Sequence, residues 1–334
     1  MMFFSEDTAS FGMRPGGHVV RIEPDGLSYK KVMGRVNGKS DSAWPEQSRP
    51  LEAPAATEIR MREIDSAPAL YVCDADSRDI VDEINAKYGK FPLWPMAVVA
   101  GVLLSPVVPT RYLIALIPLM VFLLELIDRR RRTTTIVYDI DPSIGEKIRS
   151  FYDTFDELMR AEKAWHVAAA GEVGEKQRKY HAGADHVVER SPIRIRYAVP
   201  KYIKTNVKVP CVPVGRQTLY FFPDRVLLVE RRKVGAVSYR NLTLACANTR
   251  FVEEGAVPRD TRVVGHTWRY VNKNGGPDKR FKDNRQLPIC LYSELWFRSG
   301  TGLNEMIQVS KPDAGVRLTE FLSGGQISYA AERA

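Results

Sequence analysis

Residues 93–127 read LWPMAVVAGVLLSPVVPTRYLIALIPLMVFLLELI, and the interpretation of the rest of the chain depends on this apolar run. The run contains one basic residue, Arg111, and one acidic residue, Glu125. About 20 apolar residues cross the hydrocarbon core of a bilayer, so the run is too long for one ordinary span. Two prolines and a Thr-Arg pair interrupt its middle, which predicts a turn. We therefore expect a membrane helical hairpin made of two short apolar helices, 93–108 and 112–127.

The charges that flank the run predict how such a hairpin is oriented. Arginines and lysines concentrate on the cytoplasmic side of membrane spans, and aromatic side chains concentrate at the interface. The predicted membrane-anchor residues are Trp94, Tyr112, Arg129, Arg130, Arg131 and Arg132. This pattern predicts a bacterial inner-membrane protein with both termini in the cytoplasm. Each half of the run reaches only about 24 Å at 1.5 Å per residue, so a re-entrant hairpin and an internally packed one stay open.

Composition limits the class of protein without selecting a ligand. The 334 residues suggest about two domains. The 49 Lys and Arg against 40 Asp and Glu give a net charge of +9, which suits either an anionic membrane surface or nucleic acid. The four cysteines form no Cys-x-x-Cys pair, which excludes the usual zinc-finger spacings and indicates a reducing compartment. The first residues lack the basic and long apolar regions of a secretory signal.

Changes in composition along the chain predict an α+β protein made of seven segments. Alternating or β-branched runs separated by turn signals predict strands, and an Asp-Pro start followed by an apolar stripe predicts an amphipathic helix. The predicted segments are an N-terminal β segment (1–38), a linker (39–56), a short strand plus a helix (57–90), the apolar hairpin (91–128), a basic run with a strand and an amphipathic helix (129–168), a β-rich domain with a terminal helix (169–322) and a tail (323–334).

Several stretches resemble a bacterial family. Residues 214–242, 263–292 and 302–312, together with DRRRRTTTIVYDIDP at 128–142, are similar to the C-terminal region of an uncharacterised membrane-associated family that carries a domain of unknown function. The resemblance covers roughly 74–322, and the string HTWRYVNKNGGPDKRFKDNRQLP is its most specific part. It implies a bacterial origin and membrane attachment, and it implies no activity and no catalytic residues.

A second resemblance concerns architecture. Residues 214–322 begin with a strand, a Pro-Asp-Arg turn, a strand, a turn and a strand that ends in an aromatic residue. This order is similar to the opening of pleckstrin-homology-like and GRAM-type barrels, in which a terminal helix closes one end of a bent sheet. Residues 312–322 would be that helix. The resemblance implies a β-barrel and the binding of lipid or protein.

Motifs for catalysis are weak. Asp278 and Glu294 could hold a metal in a nuclease, but no lysine follows two positions after Glu294. His181 and His186 are five residues apart rather than the four of a helical zinc pair, and His266 brings no partner motif. The chain has no G-x-S-x-G elbow and no phosphate-binding loop of the G-x-x-x-x-G-K-[ST] type. No catalytic residue, metal or cofactor is predicted.

A basic loop is the predicted binding region. Its predicted ligand- or partner-binding residues are Arg269, Lys273, Lys279, Arg280, Lys282 and Arg285, together with Trp268 and Tyr270. Such a mixture could bind nucleic acid, bind lipid headgroups, or stack internally to order a long loop.

The predicted function is recognition or scaffolding without chemistry. Membrane lipid and a protein are the expected partners, while nucleic acid and a second copy of the chain stay open. Two alternatives are a metal-dependent nuclease that uses the Asp278 region and a pore-forming effector that acts through residues 91–128.

Overall fold

The computed structural model describes residues 18–22, 61–106, 108–174 and 177–323, the first of these ranges by its backbone alone. Most of the N-terminal β segment predicted at 1–38, the linker predicted at 39–56 and the tail beyond residue 323 lie outside the described residues.

Helices and strands alternate in the first half of the described chain, and strands dominate the second half. The helices are α1 (Arg78–Tyr88), α2 (Trp94–Leu104), α3 (Thr110–Arg132), α4 (Pro142–Met159) and α5 (Val316–Ser323). The strands up to the middle of the chain are β1 (His18–Ile22), β2 (Met61–Glu63), β3 (Thr134–Ile140), β4 (Ala164–Glu172), β5 (His186–Ile193), β6 (Arg196–Tyr197) and β7 (Ile203–Thr205). The remaining strands are β8 (Pro210–Val214), β9 (Gln217–Phe221), β10 (Arg225–Glu230), β11 (Lys233–Ser238), β12 (Leu242–Val252), β13 (Arg262–Trp268), β14 (Gln286–Ser299) and β15 (Asn304–Val309).

The strands form three sheets. A small parallel sheet has the order β1-β3-β7, and a five-stranded antiparallel sheet has the order β11-β10-β9-β8-β6. The seven-stranded sheet follows the order β12-β14-β15-β4-β2, with β13 added beside β14 and β5 beside β4. The long strand β14 therefore pairs with β12 along one side and with β13 and then β15 along the other. A mostly β domain is thus present.

One continuous core joins the two larger sheets to α4. Phe221 of β9 lies 5.7 Å from Phe297 of β14 and 4.7 Å from Phe155 of α4, measured between ring centroids. The apolar stripe predicted on α4 faces this core, since Ile148 and Phe151 are also buried. Burying a large apolar side chain stabilises a fold by about 1.5–3 kcal/mol, so these contacts hold the sheets together.

A buried polar network fixes the turn between β9 and β10. Tyr138 of β3 donates its hydroxyl hydrogen to Asp224 Oδ1 at 2.6 Å, and Arg225 Nε donates to Asp224 Oδ2 at 2.6 Å. Arg225 Nη1 also donates to Ser77 Oγ at 3.0 Å. Burial and the neighbouring Asp224 carboxylate raise the pKa of Tyr138 well above its usual value. The Pro-Asp-Arg turn recognised in the sequence thus joins the small parallel sheet to the five-stranded sheet.

The outer edge of β11 is covered by the segment before α1. Asp74 N donates to Ala236 O at 3.0 Å, and Ala236 N donates to Val72 O at 2.9 Å. The approach is close at Gly235, where an added Cβ would collide with the carbonyl oxygens of Ala69 and Val72. A glycine is therefore required here, because any side chain would push the covering segment away.

The predicted membrane helical hairpin over 91–128 is wrong. The first helix, α2, spans only 11 residues and ends at Leu104. The second, α3, has 23 residues, but it continues through four arginines, so its last turns are charged rather than apolar. Among the helices that the structure describes, none is both long enough and apolar enough to cross a bilayer.

Two further predictions rested on that hairpin and are corrected with it. They are the transmembrane helix and the bacterial inner-membrane location with both termini in the cytoplasm. The prediction assumed two apolar helices of equal length, 93–108 and 112–127, whereas α2 ends earlier, at Leu104, and α3 continues through the arginines to Arg132.

Candidate functional site

The basic loop, residues 269–285, connects β13 to β14. The two strands pair up to Trp268 and Gln286, and Arg269 N then donates to Arg285 O at 3.0 Å, which closes the base of the loop. All six cations predicted to bind a ligand are exposed. The predicted aromatic residues Trp268 and Tyr270 are half-buried. The structure therefore brings the predicted binding residues together on one loop.

Aromatic and amide side chains order the loop from inside. The Tyr270 and Phe281 rings stack with centroids 4.1 Å apart and planes at 15°. Asn284 bridges the backbone of Tyr270, because its Oδ1 accepts from Tyr270 N at 2.9 Å and its Nδ2 donates to Tyr270 O at 2.7 Å. The aromatic residues of the loop thus pack on each other, while the cations remain on the outside.

Asp278 closes a turn within the loop. Its carboxylate accepts from Arg280 N at 3.1 Å, from Arg280 Nε at 2.9 Å and from Arg280 Nη2 at 2.5 Å. The hydrogen bonds from Arg280 lower the pKa of the Asp278 carboxyl to about 2. Since this carboxylate is engaged by a neighbouring guanidinium, its present arrangement orders the loop rather than exposing a metal ligand.

A second segment packs beneath the loop. Val271 N donates to Lys179 O at 3.2 Å, and Thr267 Oγ1 donates to Ala182 O at 2.7 Å. Tyr180 and Phe281 form a T-shaped ring contact, with centroids 6.2 Å apart. Lys179 also helps to lower the pKa of Asp278. The loop is therefore held against the 178–184 segment, which adds positive charge beside it.

The loop has six cations and two carboxylates, Asp278 and Asp283, so its net charge is +4. Arg280 pairs with Asp278, but the other five cations form no ion pair with any residue that the structure describes. These five are Arg269, Lys273, Lys279, Lys282 and Arg285. Their charges lie on an exposed loop whose conformation is set by its own contacts, and this arrangement suits an anionic ligand.

Comparison with protein-family models, with curated proteins and with solved structures gave no match. Within the described ranges, no group of three or more His, Cys, Asp or Glu side chains could hold a metal ion.

The predicted membrane-anchor residues lie on α2 and α3. Trp94 and Tyr112 are exposed near the starts of the two helices. Arg129 pairs with Glu125 at 2.7 Å, while Arg131 lies 3.7 Å from Asp128.

Arg132, by contrast, is buried at the base of the two helices. It donates to Lys90 O at 2.7 Å, and Asp128 Oδ2 accepts from Leu93 N at 2.5 Å. The last arginine of the run and the neighbouring aspartate therefore fasten α3 to the start of α2, a structural role that the charge pattern alone did not indicate. Arg130 is exposed.

Sequence reasoning missed a group of side chains that surrounds one arginine, Arg190 of β5. The guanidinium lies 4.1 Å from the ring centroid of Trp165 and 4.0 Å from that of Phe251. It donates to Glu253 Oε2 at 2.7 Å and to Gln308 Oε1 at 2.9 Å. These residues are far apart in the sequence and come together only because their strands belong to one sheet. The sequence alone therefore could not identify the partners of Arg190.

The pKa of Asp278 should depend on its contact with Arg280. Replacing Arg280 with glutamine is expected to raise the pKa of Asp278 from about 2 towards its ordinary value near 3.9. Because the folded-state pKa is depressed, this interaction stabilises the loop above pH of about 4 and is lost as the pH falls through about 2. A carboxyl NMR titration measures the midpoint. Lys282→Gln is the control and should leave the midpoint unchanged; equal midpoints in all three proteins would contradict the assignment.

Proposed function

We propose that the protein is a recognition module without catalytic chemistry, and that the basic loop binds an acidic segment of a protein partner. The main support is the set of five exposed cations that lack ion pairs among the described residues. Complementary charge steers association and suppresses wrong partners. An acidic segment would supply the missing counter-charges.

The internal order of the loop supports binding with a small entropic cost. The Tyr270–Phe281 stack and the bridge from Asn284 hold the backbone before any ligand arrives. A loop already in its bound conformation loses less freedom on association. The cations can then act together rather than as separate mobile charges.

The same packing argues against nucleic acid as the ligand. Proteins that bind single strands stack bases on exposed aromatic rings. Tyr270 and Phe281 are stacked on each other, and Tyr180 meets Phe281 in a T-shaped contact. Phosphate attraction remains, but the stack uses one face of each ring and both rings are half-buried, which leaves less aromatic surface for a base.

The order of elements supports a pleckstrin-homology-like relationship for the β-rich domain. Strands β8 to β11 form one consecutive antiparallel meander, β12, β14 and β15 belong to the second sheet, and α5 follows them. We include this relationship in the proposal because the resemblance implies the binding of lipid or protein.

The test uses the full chain and a fluorescent 20-residue peptide rich in glutamate, with the glutamine version as its neutral counterpart. The variant carries Lys273→Gln, Lys279→Gln and Lys282→Gln. At about 0.2–1 kcal/mol for each exposed charge pair, it should bind the acidic peptide roughly 3–150-fold more weakly. Wild-type affinity should also fall as salt concentration rises.

The matched control removes the same charge elsewhere, with Arg232→Gln, Lys233→Gln and Arg240→Gln. These residues are also exposed, on and beside β11, and their variant should bind like the wild type. Equal losses in the two variants, or no binding of the acidic peptide, would refute the proposal. Loop-dependent binding of phosphatidylserine vesicles or of a 20-nucleotide DNA in place of the peptide would show that the partner class is wrong.

A further inference from the structure

A cavity of about 700 Å³ lies away from the basic loop, between the end of α4, the start of β4 and the chain that runs from β5 to β6. Its volume is within the range of about 300–1,000 Å³ typical of ligand sites. Most of the residues that line it are apolar, among them Met159, Trp165, Ile193, Ile195 and Tyr197, while polar atoms supply nearly half of the lining surface. The cavity is half open to solvent and could accommodate an apolar group larger than a single side chain.

Two exposed arginines, Arg194 and Arg196, also line the cavity. Arg196 lies opposite Cys211 in the β6–β8 ladder. Arg194 forms no ion pair among the residues that the structure describes. The lining therefore combines an apolar interior with at least one available guanidinium, which prefers planar carboxylates and phosphates.

The other two charged residues in the lining, Glu162 and Lys163, have opposite charges that offset each other, and both are hydrogen-bonded to the backbone. Glu162 Oε2 accepts from Arg259 N at 2.6 Å, and Lys163 Nζ donates to Ala256 O at 2.8 Å. The end of α4 contributes a partial negative charge equivalent to about half a unit. Two full positive charges outweigh that partial charge, so the cavity favours an anion.

The strands beside the cavity favour a small ligand over an added β-strand. Within the described chain, β5 pairs only with β4, and β6 pairs only with β8, so the cavity opens beside two outer strands. Pro192 lies on this part of β5, opposite Trp165. A proline in a strand lacks a donor and keeps its nitrogen away from the neighbouring strand, which disfavours strand addition at this edge.

We infer that this cavity binds an amphipathic carboxylate, with the apolar chain against Met159, Ile193 and Ile195 and the carboxylate at Arg194. The inference does not depend on the proposed function of the basic loop. It rests on the cavity volume, the apolar walls and the guanidinium without an ion pair. A flexible alkyl chain with one terminal carboxylate would place its apolar part against the apolar walls and its charge at Arg194.

Decanoate and decanol are matched probes, because they share the alkyl chain and differ in the charged end. Isothermal titration of the full chain, with decanoate below its aggregation concentration, is expected to show at least tenfold tighter binding of decanoate than of decanol. Arg194→Gln should reduce that preference to less than threefold. The control, Arg240→Gln, removes an exposed arginine elsewhere and should preserve it.

Filling the cavity tests its location. Met159→Trp should weaken the binding of both probes at least tenfold, while circular dichroism and the melting temperature without ligand confirm that the variant folds. If that variant does not fold, Ala161→Leu provides a smaller filling substitution in the same lining. Equal affinity for the two probes, no binding of either, an unchanged preference in Arg194→Gln, or full binding in a folded filled variant would each overturn the inference.

Discussion

Replacing Asp224 with alanine is expected to destabilise the protein by about 3–5 kcal/mol, because it removes the carboxylate from a buried ion pair with Arg225. Asp224 is 3% exposed and Arg225 is 6% exposed, so water cannot readily replace the lost carboxylate. The substitution also removes the acceptor of the Tyr138 hydroxyl. Urea denaturation followed by far-ultraviolet circular dichroism measures the loss.

Tyr138→Phe is the matched comparison for this network. It removes one hydrogen bond to Asp224 and leaves the ion pair with Arg225 in place. The expected loss is about 1 kcal/mol, the usual net contribution of one hydrogen bond. If Asp224→Ala destabilised the protein no more than Tyr138→Phe, the ion pair would not hold the turn as described.

Gly235→Ala should be the second large effect, with a loss of about 1–3 kcal/mol from overpacking. The new methyl group would meet two backbone carbonyls, at Ala69 and Val72, and no side-chain rotation can relieve such contacts. We expect the covering segment to move away from β11, since its hydrogen bonds with Ala236 depend on this close approach. Amide hydrogen exchange at Asp74 and Ala236 reports that movement, and urea denaturation reports the stability.

Gly145→Ala is the control for the glycine experiment. Gly145 lies within α4, and an added Cβ there would have no atom within 4 Å. Alanine forms helices better than glycine by up to about 1 kcal/mol, so this variant should be more stable than the wild type. A similar loss at both positions would mean that the clash at Gly235 is not the cause.

Local patterns predicted the elements whose contacts lie close along the chain. The helix predicted within 57–90 is α1, and the apolar stripe predicted after the Asp-Pro start is the buried face of α4, which includes Phe151 and Phe155. The strands around the turn at Asp224 follow the same logic, because β9, β10 and β11 are consecutive neighbours in one sheet. Their periodicity and turn residues are properties of short segments, which one sequence displays directly.

The error over the apolar run has a physical cause. Hydrophobic length predicts a span, but it does not fix where each helix begins or ends. The helix α2 ends at Leu104, and α3 continues past Ile127 to Arg132, whose guanidinium is used to fasten the two helices at their base. The structural role of Arg132 therefore depends on contacts between residues that are far apart in the sequence, which the charge pattern does not reveal.

The sequence also predicted only part of the candidate site. The sequence predicted the positive charge of the basic loop and included internal stacking among the uses of its aromatic residues. It could not identify the packing partner, because Tyr180 is far from Phe281 along the chain and meets it only after β13 and β14 pair. The cavity beside Arg194 was also not predicted, since its walls come from elements that converge only in the folded molecule.

The pairing of β4 with β15 constrains the order of events during synthesis. Val167 lies opposite Met306, so nearly all of the described chain must leave the ribosome before this ladder can form. Long-range pairing of this kind slows folding, and an open strand edge can capture another chain in the meantime. A nascent chain that stalls before residue 304 would therefore present one side of β4 to its neighbours on the same messenger RNA.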